Sequence, residues 1–99
     1  MIDLKKTDGF DWDEGNARKN EKHCVSIAEI EQVSFNSPLL VLEDPKHSSH
    51  EPRFHALGKS DDRRLLHITF TLRHAGKKIR VISARDMRRK ERAIYEKAT

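Results

Sequence analysis

The sequence predicts an α+β fold: a single domain in which helices flank an antiparallel sheet, in the order β-α-α-β-β-β-β-α. Three observations carry this expectation. The chain has 99 residues, enough for one domain. Three strand-like runs, Arg53 to Lys59, Leu65 to Arg73 and Lys78 to Arg85, are joined only by the short connectors "SDDRR" and "HAGK", as hairpins require. The middle run also alternates strictly: Leu66, Ile68, Phe70 and Leu72 fall on one side, and His67, Thr69, Thr71 and Arg73 on the other. One sheet face is therefore expected to pack on helices while the other is polar.

The first nine residues carry little pattern and read as a loose arm, leaving 10–99 as the domain. "FDW", Phe10 to Trp12, reads as a short strand with Asp11 turned outward. Asp13 is a good N-cap for a helix to about Lys22, and Glu14 sits favourably near its positive end. "SIAE", Ser26 to Glu29, has the spacing of a capping box and predicts a second helix from Ile27 to about Val33, with Ile27, Ala28, Ile30 and Val33 as its apolar side. Pro38 ends that region. "LLVLE", Leu39 to Glu43, reads as a strand, and "DPKHSSHEP" as a polar loop. After the three runs comes a helix from about Met87 to Lys97, with an apolar stripe of Met87, Ile94, Tyr95 and Ala98. Arg88, Arg89 and Arg92 lie mostly off that stripe.

Hydrophobic residues make up 35% of the chain and charged residues 36%. Apolar runs such as "PLLVL" and "LLHITF" exclude disorder throughout. A chain of this size buries only about 60–70% of its unfolded surface, which argues for a modest core and against a deep pocket for a large cofactor. The formal charge of +4 is unevenly spread: residues 77–97 hold nine Lys or Arg against three carboxylates, so the remainder is slightly acidic. A basic end on an acidic body points to a polyanion or an acidic partner, although a solvated helix face has the same composition. The single cysteine, Cys24, excludes an internal disulfide and fits a reducing compartment. No apolar core follows the first charges as in a signal peptide, and no run approaches the ~20 residues of a membrane span. A cytoplasmic protein with no membrane association is expected.

Arg53, Arg73, Arg80 and Arg85 sit in or at the ends of predicted strands, where a long charged side chain needs a reason. Guanidinium groups grip phosphate oxygens in bidentate fashion and offset charge developing on phosphorus, so a polar sheet face edged by arginine suits a phosphodiester. Simple solvent exposure on an uncovered face is the alternative. Period-two logic also places Arg53 with His55, opposite Phe54 and Ala56. "KHC", Lys22 to Cys24, ends the first predicted helix, where His23 is either a general base or acid or a cation at a helix C-terminus. His47, His50 and His55 hint only weakly at a metal, because no cysteine pair or carboxylate signature accompanies them. Tyr95 is either a core-edge residue or a base-stacking and proton-relay group. No glycine-rich phosphate loop, dinucleotide fingerprint or Ser/His/Asp pattern is present, and no cofactor is expected.

Together, "FDWDEGNARKNEKHCVSIAE", "DP", "EPRFHALGKS", "LLHITFTLR" and "IRVISARDMRRKERAIYE" resemble the BrnT toxins of type II toxin–antitoxin systems, over residues 10 to 97. The resemblance implies a RelE-like fold and an endoribonuclease that cleaves RNA without a metal. It also implies a cognate BrnA antitoxin that neutralises the toxin in a hetero-oligomer and through which operator DNA is bound and the operon repressed. Lys22, His23, Arg53, Arg73, Arg80, Arg85, Glu91, Arg92 and Tyr95 occupy motif positions and are the catalytic candidates it implies. Lys22 or His23 would transfer protons, the four strand arginines would hold phosphate, and Glu91, Arg92 or Tyr95 would support them. Cys24 departs from the family pattern, which usually has glycine there, and Leu72 stands where an acidic residue commonly precedes Arg73. The alternative reading is a non-catalytic basic binding module within a nucleic-acid or transcription-repressor complex.

Overall fold

The computed structural model describes residues 7–15, 23–47 and 51–99. Its elements are α1 (Ile27–Phe35), β1 (Leu40–Glu43), a short 3-10 turn (Pro45–His47), β2 (Arg53–Lys59), β3 (Leu65–Arg73), β4 (Lys78–Asp86) and α2 (Arg89–Ala98). The four strands form one antiparallel sheet in the order β1-β2-β3-β4. The α+β class and the strand boundaries follow the sequence reading to within a residue. "FDW" is reduced to a single parallel bridge from Phe10 to Ile79 on the outer edge of β4, where the Asp11 N–H donates to the Ile79 carbonyl and the Ile79 N–H to that of Gly9. The helix expected from Asp13 to Lys22 lies mostly outside the described residues.

Local chemistry accounts for the element ends. Ser26 caps α1 as its spacing predicts: its hydroxyl accepts from the Glu29 N–H at 3.1 Å, and the Glu29 carboxylate accepts from the Ser26 N–H at 3.0 Å. The helix then buries Ile30 and Val33, while Ile27 and Ala28 stay exposed, because only one narrow stripe of a nine-residue helix meets the sheet. At its far end, Asn36 donates to the Lys59 carbonyl at 3.0 Å, which ties α1 to the hairpin that leads into β3.

The expectation that helices cover only one face needs correction. On the first face, α1, Phe10 and Trp12 pack over Phe54, Ala56, Leu66, Ile68, Phe70, Ile79, Val81 and Ala84. On the second face, a smaller cluster of Leu57, Met87 and Tyr95, with Leu40 and Leu65, seats α2 at one end. Leu57 and Leu40 are cross-strand partners, and both lie on the side that carries His55. Apolar residues at that end of the polar face therefore recruit a helix, which leaves the rest of the face open. Met87 precedes α2, and Ile94 is exposed, so of the expected stripe only Met87 and Tyr95 are buried.

The contact of α1 with β2 leaves no room beneath Val33. A Cβ added at Gly58 would stand 2.8 Å from Val33 Cγ1 and 3.1 Å from Leu39 Cδ1, and the branched Val33 side chain is fully buried. Gly58→Ala is expected to destabilise the fold by about 1–3 kcal/mol through overpacking, measured as a lower urea midpoint; an unchanged midpoint would show that α1 can lift away freely.

Candidate nucleic-acid interface

The second sheet face is built in rows across the strands. Arg53 of β2, Thr71 of β3 and Arg80 of β4 form one row; His55, Thr69 and Ser83 form the next; Leu57, His67 and Arg85 form the third. Arg80 and Arg85 are five residues apart and would face opposite sides of a regular strand. A register shift opposite Thr69/Phe70 inserts Ile82 between Ser83 and Val81 and resets the parity. Val81 and Ala84 both bury on the first face, and Arg80 and Arg85 both emerge on the second.

At the open end, Arg53, Arg73, Arg80 and Thr71, with Glu51 and Gly15, line a cleft of about 390 Å³. Carboxylates occupy the guanidinium groups of Arg73 and Arg80. Arg73 pairs with Glu51 at 2.9 and 3.1 Å, and Arg80 donates to Asp13 at 2.7 Å with Asp11 at 3.8 Å. Asp11 reaches Arg80 because the Phe10 bridge turns the apolar rings of Phe10 and Trp12 into the core and the intervening carboxylate outward.

In the middle row, the His55 ring is held at both nitrogens. Nε2 lies 2.8 Å from the Asp44 carboxylate and Nδ1 lies 3.1 Å from the Thr69 hydroxyl. Asp44 is fixed in turn by its own N–H, which donates to the Arg53 carbonyl at 2.9 Å. The His67 ring stands 4.9 Å from that of His55.

The third row meets α2. Arg85 forms a bidentate pair with Glu91 at 2.7 and 2.8 Å, and Glu91 also accepts from the Arg88 N–H at 2.8 Å. Those contacts, the Arg85 guanidinium first, hold the Glu91 carboxyl down at about 2. His67 Nε2 lies 3.7 Å from the same carboxylate, yet burial lowers its imidazole to about 4, so the ring is neutral at pH 7. Its Nδ1 is buried without a hydrogen-bond partner.

Three of the four candidate strand arginines thus gather at the cleft, and Arg85 stands two rows away beside Glu91. The other described candidates lie apart from the cleft. His23 is exposed near Asp86, at the end of the sheet where Asp86 pairs with Leu66, about 17 Å along β3 from the Arg80 row. Arg92 is exposed beside the same aspartate. Tyr95 is only 4% exposed; burial pushes its phenol up, and its hydroxyl donates to the Pro38 carbonyl at 2.6 Å, as expected of a core-edge residue. Lys22, His50 and the side chain of His47 lie outside the described residues. Among the described residues, no group of three or more histidine, cysteine or carboxylate side chains is arranged to hold a metal.

Sequence reasoning missed Arg64 and Asp44. Arg64 donates to Asp86 at 2.7 and 3.1 Å, to Glu29 at 3.2 Å, and to the carbonyls of Cys24 and His23 at 2.7 and 3.3 Å. It therefore fixes the turn in which Cys24 takes a left-handed φ of 55°. Its partners are 22 to 41 residues distant, so no local pattern announces it. Asp44 could have been found through its place one residue beyond β1, where an edge-strand carboxylate faces the next strand.

The structure is a small α+β domain with an arginine-edged polar face on its sheet. The chain belongs to the ribonuclease toxins, BrnT, of type II toxin–antitoxin systems, whose family model matches residues 12–91. No curated protein matches it. Among the described residues, no helix is long and apolar enough to cross a membrane.

The two perturbed groups beside α2 give the domain a defined acid response. Unfolded, His67 binds a proton near pH 6.5; folded, it resists protonation down to about 4, so stability falls as pH drops between these values. Glu91 extends the loss from about 4.5 towards about 2. His67→Gln is expected to remove about 2–3 kcal/mol of the stability change between pH 7 and 4, read from urea midpoints; an equal slope in wild type and variant would contradict a buried neutral imidazole.

Proposed function

We propose that this chain is the toxin of a type II toxin–antitoxin pair and an endoribonuclease that cleaves RNA without a metal. The observation that carries the reading is the polar sheet face itself, with Arg53, Arg73 and Arg80 around a cleft at one end and Arg85 beside α2 at the other. A single strand laid along such a face would meet guanidinium groups at both ends, with the hydroxyl and imidazole groups of the middle row between them.

RNA supplies its own nucleophile. The 2′-oxygen attacks the adjacent phosphorus, the bond to the 5′-oxygen breaks, and a 2′,3′-cyclic phosphate remains. The protein needs only to move protons and stabilise charge on the phosphoryl oxygens. Guanidinium groups on the strands would do the latter, and the carboxylates paired with Arg73 and Arg80 support the reading that anionic oxygens fit there. Glu91 holds Arg85 in a fixed orientation. His23 and Arg92 lie where they would contact a strand running past the Asp86 end. Tyr95 seats α2 through its bond to Pro38. Two helices around a four-stranded antiparallel sheet are compatible with a RelE-like fold.

In this reading a BrnA-type antitoxin neutralises the toxin by forming a complex with it, and operator DNA is bound only through that complex. The family membership and the uneven charge support this assignment.

Purified protein incubated with RNA in EDTA is expected to give fragments ending in 2′,3′-cyclic phosphate, and its overexpression to arrest growth. Arg80→Ala should lower the cleavage rate about 10²–10³-fold, and Arg85→Ala should relieve the growth arrest. Binding without cleavage, alone or with ribosomes, would favour a non-catalytic module instead.

A further inference from the structure

We propose that His55, oriented by Asp44 and set between the arginine rows of the open sheet face, is the general base that takes the proton from the 2′-hydroxyl. The inference rests on the ribonuclease reading and assigns it a proton-transfer residue that is not among the catalytic candidates the resemblance implies.

Four observations lead there. His55 belongs to the middle row, with Arg53 two residues before it on the same strand and Arg85 one row beyond it on the other side. A phosphodiester held in the cleft by Arg53 would lie one row, about 7 Å, from its ring. The Asp44 carboxylate, 12% exposed, lies 2.8 Å from Nε2, which fixes the tautomer with its proton on Nε2 and leaves the lone pair on Nδ1. Nδ1 faces a hydroxyl, that of Thr69, at 3.1 Å, so the geometry for accepting an O–H proton already exists. Finally, the His55 side chain remains 29% exposed, whereas the neighbouring His67 is buried.

Charged groups stand on several sides of His55. Asp44 supplies a negative charge from beyond β1, and Glu91 of α2 supplies another behind His67. His67 on β3 stands 4.9 Å away and is kept neutral by burial, so it adds no opposing charge. Arg53 and Arg85 are the cations one row to either side.

Nδ1 accepts the proton of the 2′-hydroxyl, directly or through the Thr69 hydroxyl; the O2′–P bond forms as the P–O5′ bond breaks. The leaving 5′-oxygen takes a proton from water, and the imidazolium returns its own to solvent.

A purely structural His55 would tie the end of β1 to β2 through Asp44, so the test must separate the two roles. Cleavage by wild type, His55→Ala and Asp44→Asn would be followed across pH 5–9, alongside binding of a non-cleavable 2′-deoxy oligonucleotide. His55→Ala is expected to lose about 10²–10³-fold in rate, to bind the oligonucleotide as wild type does, to lose the acid limb of the pH profile, and to recover rate on addition of free imidazole. Asp44→Asn should shift that limb. In wild type, the His55 ring resonances should move on adding the oligonucleotide, a readout that needs no variant to fold. Wild-type cleavage with His55→Ala within about threefold of it, or His55 resonances unmoved by bound oligonucleotide, overturns the assignment and leaves the ribonuclease reading intact. Wild type that never cleaves RNA overturns both.

Discussion

The face depends on one irregularity in β4. Arg80 and Arg85 are separated by an odd number of residues, so an unbroken pleat would bury one of them against Phe70 and Ile30 or turn the other out of the site. The extra residue at Ile82 prevents this. On one side of it Val81 and Ile79 point into the core; on the other, Ala84 does. The same residue lines the arginine cleft, so the bulge both changes the parity of the strand and shapes the surface it presents. With the parity reset, three strands deliver arginines to one side, with hydroxyls and imidazoles between them.

Placing the face on strands fixes its geometry. Its rows are cross-strand neighbours whose spacing is set by the backbone ladder, so no loop has to be ordered before Arg53, Thr71 and Arg80 are in line. Asp44 belongs to the same framework, because the hydrogen bond from its N–H to the Arg53 carbonyl continues the β1–β2 pairing. The side chain that orients His55 is thus held by the register of the sheet. Helix α2 limits how much of this surface is open: Tyr95, Met87 and Leu57 seat it at one end, and Glu91, in its first turn, meets Arg85 at the boundary.

Much of this was legible in the sequence, for physical reasons. Period-two alternation in Leu65–Arg73 fixed which side chains share a face, and short polar connectors fixed the antiparallel order. The Ser26–Glu29 spacing located α1, because the capping box is a local device. What could not be read is non-local or depends on parity. Nothing near Ile82 marks a bulge, and the reach of Arg64 to Glu29, Asp86 and the Cys24 turn joins segments far apart in the chain. That turn nonetheless makes sense of a sequence observation. Cys24 occupies a position where glycine is usual in the resembling family, and its φ of 55° lies in the region glycine enters without strain. The site candidates were partly separated for the same reason: motif spacing records which residues recur together and carries no distance along a sheet.

The charge a polyanion meets here differs from the charge the composition reports. Residues 77–97 are strongly basic, yet the arginines of the face do not stand as free cations: Arg73 has Glu51, Arg80 has Asp13 and Asp11, and Arg85 has Glu91. A phosphate entering the cleft would have to displace the carboxylates on Arg73 and Arg80, so its gain there would be a difference between two charge-assisted pairings. Glu51 and Asp13 are about half exposed and can turn to water at little cost, whereas Glu91 is held by both Arg85 and the first turn of α2. The cleft arginines are therefore the exchangeable part of the face, available to a ligand that brings its own negative charge. Arg85 is the fixed part, orienting the Glu91 carboxylate beside His67. This division follows from where each carboxylate is anchored in the chain.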